Sequence, residues 1–182
     1  ITANATHLRA GEITVVRKSC ADLTFIITVT VYTDTESTVV FGGRQSDGLD
    51  VLDFGDGTRF IIPETPSVAR PDLGLNIGVA SYTIEHTYAG PGKYLISYKE
   101  PNRNIGVLNM VNSVLTTFYI ETEINTDPFF GCNNSPKLLI APVDKGCSGV
   151  AMQPKTGACY PEGERLCLEK VITFRDGYTV VR

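Results

Sequence analysis

From Leu23 to Tyr32 the chain alternates without a break: Leu23, Phe25, Ile27, Val29 and Val31 occupy one phase, and Thr24, Ile26, Thr28, Thr30 and Tyr32 the other. A period of two in β-branched and aromatic residues specifies a strand with one face in a core and a threonine-rich face outside. The same period recurs at Tyr82-Ile84-His86-Tyr88, Tyr94-Ile96-Tyr98 and Val114-Thr116-Phe118-Ile120. Shorter strand candidates are Glu12–Arg17, Thr38–Phe41, Leu49–Phe54 and Thr58–Ile62. Turn signals separate them at Asp34-Thr35-Glu36-Ser37, Gly42-Gly43, Asp56-Gly57 and Ala89-Gly90-Pro91-Gly92. No stretch carries a helical period, so short strands and regular turns predict an all-β sandwich. The stretch from Pro63 to Gly74 holds Pro63, Pro66 and Pro71 and is excluded from any central strand.

The sandwich is expected to occupy residues 1–124, with 125–128 (Asn125-Thr126-Asp127-Pro128) as a linker. Residues 129–182 are too few for a second sandwich of ~100 residues. They read as a partial or small second β module, with strand candidates at Lys137–Ala141, Gly149–Met152, Leu166–Thr173 and Tyr178–Val181. An incomplete module leaves an unpaired edge, with Leu166–Thr173 as the candidate for end-to-end self-assembly. Four of the five cysteines, Cys132, Cys147, Cys159 and Cys167, crowd this last third, with no Cys-x-x-Cys and no nearby histidine. Two disulfides fit that pattern better than a zinc site. Four cysteines allow three connectivities; Cys132 with Cys147 and Cys159 with Cys167 is the preferred pairing because each closes a short local loop, and Cys20 is left over. The Ala3-x-Ala5 spacing is like a signal-peptidase site, and with the cysteines it points to export.

A net charge of −4 without a Lys/Arg run speaks against nucleic-acid binding. No apolar run approaches the ~18 residues of a membrane span. Catalytic motifs are also missing. The chain has no G-x-S-x-G, H-E-x-x-H or G-x-x-x-x-G-K-[ST], and Gly90-Pro91-Gly92-Lys93 precedes a strand rather than a phosphate-holding helix. Of the two histidines, His86 lies on the face of Tyr82, Ile84 and Tyr88, a packing position. The chain is expected to be non-enzymatic.

Asp53-Phe54-Gly55-Asp56-Gly57-Thr58, followed by His86-Thr87-Tyr88-Ala89-Gly90-Pro91-Gly92-Lys93-Tyr94, is the most informative constellation. Phe54 can bury at a strand end, Asp56-Gly57 can close a tight turn, and Tyr88 can lock a corner with its ring and hydroxyl. These two blocks resemble the signature of polycystic-kidney-disease (PKD) repeats, immunoglobulin-like sandwiches of cell-surface and secreted proteins. Three further segments are similar to a PKD-like family of large surface proteins of gliding bacteria, often exported by the type IX route: Thr6–Ile13, Asn102–Met110 and Gly131–Pro136. The resemblance implies a bacterial surface or secreted location and a role in adhesion, surface assembly or gliding motility. In the same family the next module reads like Gly-Ala-Tyr-Asp-Pro-Asp-Gly-Asp-Ser-Leu. Here Gly157–Leu166 keeps the spacing but places Tyr160, Glu162 and Glu164 where aspartates stand.

No cofactor is expected other than a candidate calcium. Asp47, Asp50, Asp53 and Asp56 recur at three-residue intervals around glycine turns, and Ca²⁺ takes 6–8 oxygens from such loops. The competing reading is turn carboxylates that face water. Glu162 and Glu164 form a second candidate pair. For a surface glycan or protein partner, Tyr98, Asn102, Arg103 and Asn104 lie where a strand enters the Asn-rich loop. Against this, the asparagines would hold the loop by bonding its own backbone. The leading function is a non-catalytic surface or adhesin module. Its alternatives are a carbohydrate-binding accessory module of a secreted enzyme, or a structural subunit of a surface filament joined to further modules of the same protein.

Overall fold

In a computed structural model the chain is all-β, with only two short 3₁₀ turns among the described residues, which are 8–37, 40–43, 50–101, 103–104, 107, 112–143, 157–159, 174–175 and 178–179. Eight strands build two facing antiparallel sheets: β1 (Leu8–Arg17), β2 (Thr24–Asp34), β3 (Val51–Asp53), β4 (Arg59–Ile61), β5 (Val68–Ala69), β6 (Ile77–Thr87), β7 (Lys93–Glu100) and β8 (Phe118–Asn125). The first sheet runs β1-β2-β6-β5 and the second β4-β3-β7-β8.

The alternation of β2 explains the layering. Phe25, Ile27, Val29 and Val31 are buried and meet Leu52, Phe54, Ile96, Tyr98, Phe118 and Ile124 from the other sheet. Thr24, Ile26, Thr28 and Thr30 of the opposite phase are half-buried on the outer face, whereas Tyr32 at its end is buried. Thr24 with Thr87, Thr28 with Thr83 and Thr30 with Ser81 share hydroxyl hydrogen bonds of 2.9–3.0 Å. Such cross-strand pairs fix register on a solvated face. Within the proline-rich stretch only Val68–Ala69 forms a strand, and it lies at a sheet edge, where a missing N–H is tolerated.

Several boundaries differ from the sequence reading. Val114 is not in a strand: Asn112 takes a left-handed conformation (φ 52) and opens a 3₁₀ turn over Ser113–Leu115, so the strand starts at Phe118 and runs to Asn125. Of Thr38–Phe41, Phe41 forms one isolated bridge, to Thr65, and residues 38–39 lie outside the described residues.

Residues 125–128 are not a free linker. Asn125 ends β8, and Thr126 is buried, with its N–H on the Gly92 carbonyl and its hydroxyl against the Gly92 N–H. The following residues fold back on β1, the edge of the first sheet. Val15 N–H donates to Ser135 Oγ (2.7 Å), Ser135 N–H to the Val15 carbonyl (2.8 Å), and Arg17 N–H to Asn134 Oδ1 (2.6 Å). Leu138 N–H reaches Glu12 Oε2 at 3.1 Å. Side-chain oxygens stand in for the carbonyls of a missing neighbour strand, so this strap closes an edge that would otherwise template pairing with another chain. These bonds hold Asn134, Ser135 and Leu138 against β1.

Beyond the strap, β9 (Lys137–Leu138) pairs with β10 (Ala158–Cys159), and β11 (Phe174–Arg175) with β12 (Tyr178–Thr179). Most of the region between and around these pairs, including Leu166–Thr173, lies outside the described residues.

The Asp56 turn carries the sharpest backbone demands. Gly55 and Gly57 both have positive φ, 81° and 90°, but a Cβ on Gly55 would sit 2.6 Å from the Leu95 carbonyl oxygen, whereas one on Gly57 meets nothing within 4 Å. Gly57→Ala should cost roughly 1 kcal/mol of left-handed strain, and Gly55→Ala about 2–3 kcal/mol because β7 must also move. Urea unfolding of the two variants side by side measures the difference.

Candidate functional site

The residues of the two signature blocks meet at one corner. Asp53 ends β3, and its Oδ1 accepts from Gly55 N–H while Oδ2 pairs with Arg59 Nε at 2.8 Å. Asp56 Oδ1 accepts from the N–H and hydroxyl of Thr58, at 2.9 and 2.6 Å. Its Oδ2 accepts from His86 Nε2 at 2.7 Å. His86 lies flat on Phe54, centroids 4.0 Å apart, and edge-on to Tyr88 at 4.6 Å. Tyr88 stacks on Tyr94 at 3.9 Å and donates its hydroxyl to the Phe54 carbonyl at 2.9 Å. Tyr94 in turn donates to the Gly90 carbonyl (2.7 Å), beside Gly92 in the turn into β7. Every polar atom named here helps to hold two turns and two sheets together.

Burial alone would raise the Asp56 carboxyl, but hydrogen bonds from Thr58 and His86 outweigh it and hold the group below its ordinary value of 3.8. A carboxyl depressed in the folded state stabilises fully above the unfolded value and loses that contribution as the pH falls through the folded one. Melting temperature should therefore decline on acidification below about pH 4. Asp56→Asn should flatten that decline, read from thermal melts between about pH 2 and 7.

Among the described members of the aspartate series, Asp50 stands apart from Asp53 and Asp56. Asp50 is fully buried with φ 59, in register beside the buried Glu100 end of β7, while Asp53 and Asp56 serve the exposed turn. Asp47, Glu162 and Glu164 lie outside the described residues. Among the described residues no three His, Cys, Asp or Glu side chains come together as metal ligands.

The disulfide pairing is corrected. Cys132 bonds Cys20, the cysteine left over by spacing, across 112 residues. Cys147 and Cys167 lie outside the described residues, and of Cys159 only the backbone is described. The bond fastens the strap to the β1–β2 turn, next to a cavity of about 380 Å³ lined by Arg17, Leu23, Pro91, Pro128 and the two cysteines. Phe129 and Phe130 stand outside in the adjoining 3₁₀ turn, 89% and 54% exposed. Sequence reasoning misses this end of the molecule. The only local hints are the turn-forming Asn133-Asn134-Ser135-Pro136 and the unassigned Cys20.

The loop candidates are redistributed as well. Tyr98 is not exposed: it is fully buried, edge-on to Phe41, with its hydroxyl on Glu100 Oε2 at 3.0 Å. Asn102 lies outside the described residues. Arg103 N–H donates to the Ser113 carbonyl, and the Ser113 hydroxyl donates to the Asn104 carbonyl at 2.7 Å, so the loop is closed on itself. The Arg103 guanidinium lies over the Phe118 ring, 5.1 Å from its centroid.

No helix among the described residues is long and apolar enough to cross a membrane. Compared with protein families, characterised proteins and solved structures, the chain matches none.

Proposed function

We propose that this chain is a non-catalytic extracellular module of a bacterial surface protein, which adheres through many weak contacts made by repeated copies. The observation that carries the reading is the strand order. With β1 to β8 lettered A, B, C, C′, D, E, F and G, the sheets run A-B-E-D and C′-C-F-G, which supports reading the chain as an immunoglobulin-like sandwich with one added strand. Tyr94, near the start of strand F, donates its hydroxyl to the Gly90 carbonyl four residues upstream, the tether that such sandwiches place at the E–F corner, and Tyr88 stacks on it. The blocks that resemble PKD repeats fall at this same corner, and the Cys20–Cys132 bond suits an oxidising compartment.

Residues that serve packing and turns leave recognition to loops and sheet faces, where each contact is weak. The single chain should bind its surface at a millimolar to high-micromolar level, on the order of −4 to −6 kcal/mol. Copies linked in tandem on the same surface should gain about 10²–10⁴ in avidity when their geometry allows simultaneous engagement. Adhesion of one copy against several, on the bacterium's own attachment surface, is the test. Equal affinity of single and linked copies, or turnover of a glycan, ester or peptide by the single chain, would contradict the proposal.

A further inference from the structure

Two exposed phenylalanines stand beside the cavity at the disulfide. Phe129 and Phe130 are 89% and 54% exposed in the 3₁₀ turn after β8, with their rings edge to face and centroids 5.4 Å apart. The turn holds them outward. Asp127 Oδ1 accepts from Phe129 N–H at 2.9 Å, while Phe130 and Gly131 N–H donate to the carbonyls of Asp127 and Pro128 at 3.1 Å. Pro128 and Gly131, on either side of the pair, line the cavity, so the projecting rings and the hollow lie side by side. The hollow itself suits a ring. Its volume is about 380 Å³, and ~150 Å³ is enough to hold a benzene, so there is room for two phenyl groups. Arg17 donates through Nε to the Asp22 carbonyl (2.9 Å) and through Nη1 to the Gly131 carbonyl (3.5 Å), which places its guanidinium in the cavity wall beside those two lining residues. A guanidinium attracts an aromatic face through the ring quadrupole, and the polarisable sulfurs of Cys20 and Cys132 favour ring contacts too.

We infer that this end of the molecule is a self-association surface, in which Phe129 and Phe130 of each copy seat in the cavity of a second copy across a two-fold axis. A two-fold rotation that carries one ring pair to the opposite cavity returns the other pair, so neighbouring projection and hollow make a closed, reciprocal contact. At 150–250 Å² for an aromatic side chain, the exposed parts of the two rings amount to roughly 200–350 Å² per copy. With both ring pairs and the walls they cover removed from water, the contact buries up to about 800–1,400 Å², around the lower bound for a specific interface. The inference goes beyond the adhesive reading and stands or falls without it.

The test is sedimentation equilibrium of the full, oxidised chain over about 1–500 μM. A monomer–dimer equilibrium is expected, with a dissociation constant on the order of 10–100 μM, as befits an interface of that size. Replacing both rings (Phe129→Ser with Phe130→Ser) should weaken dimerisation at least tenfold. Ala21→Trp, which fills the cavity from an exposed position on its wall, should do the same. All these substitutions are at exposed positions, so thermal melts should match the parent and exclude unfolding as the cause. Leu75→Ser removes a side chain that is 74% exposed just before β6, at the opposite end of that strand from the disulfide, and should leave the dimer unchanged. Mixing the ringless and cavity-filled variants restores one of the two contacts, so the mixture should dimerise more tightly than either variant alone. A monomer throughout the range, which would leave the rings and the cavity to some other partner, would overturn the inference. So would a dimer indifferent to either variant, or growth beyond the dimer into larger species.

Discussion

Replacing Cys20 and Cys132 together by serine should destabilise the chain by about 4–5 kcal/mol in the chain-entropy description of a loop near 100 residues. The bond spans 112 residues, so it restricts the unfolded chain over most of the sandwich. In the folded state its loss also frees the strap from the β1–β2 turn, leaving the hydrogen bonds of Asn134, Ser135 and Leu138 to hold it on β1. Such bonds are worth about 1 kcal/mol each. The β1 edge should then open more often and self-associate. Urea denaturation gives the free energy, and light scattering during refolding gives the edge exposure. A double variant within about 1 kcal/mol of the parent would mean that the strap contributes little to closing the sandwich.

Tyr88→Ala should cost about 3–5 kcal/mol, in the range of large aromatic truncations in a core. The ring touches Phe25 and His86 of the first sheet and Tyr94 of the second, so it contacts both. Tyr88→Phe separates ring from hydroxyl. It keeps the packing but leaves the Phe54 carbonyl without its donor, at a cost of about 1–2 kcal/mol. Both values come from equilibrium unfolding. A Tyr88→Phe cost near that of Tyr88→Ala would move the weight of the corner from packing to the hydrogen bond.

Local patterns in the sequence are a good guide wherever one residue's fate depends on its near neighbours. The β2 alternation anticipates which side chains enter the core because the sheet is packed on one face and solvated on the other. The Asp53–Thr58 block reads as a turn because Gly55, Asp56 and Gly57 carry their own conformational instructions. Tyr98 is misplaced for an instructive reason. The alternation reads as ending there, yet β7 continues to Glu100, and the phase shared with Ile96 takes Tyr98 into the core. Cys20 is unreadable from spacing, which favours short loops, because its partner lies 112 residues on, beyond all eight strands, where the chain turns back along β1. Arg103 shows the same limit. Its residue type marks it as a binding candidate, but the placing of its guanidinium over the Phe118 ring is a property of the assembled loop.

The Cys20–Cys132 bond ties the segment after β8 back onto the first strands, and the setting proposed for it is an oxidising compartment. Peptide mapping without reduction, on protein isolated from its natural compartment with free thiols blocked at lysis, tests this most directly. The expected result is a linked pair of peptides containing Cys20 and Cys132. A free Cys20 thiol, with Cys132 reduced or joined to Cys147, would contradict both the closed sandwich and the extracellular setting.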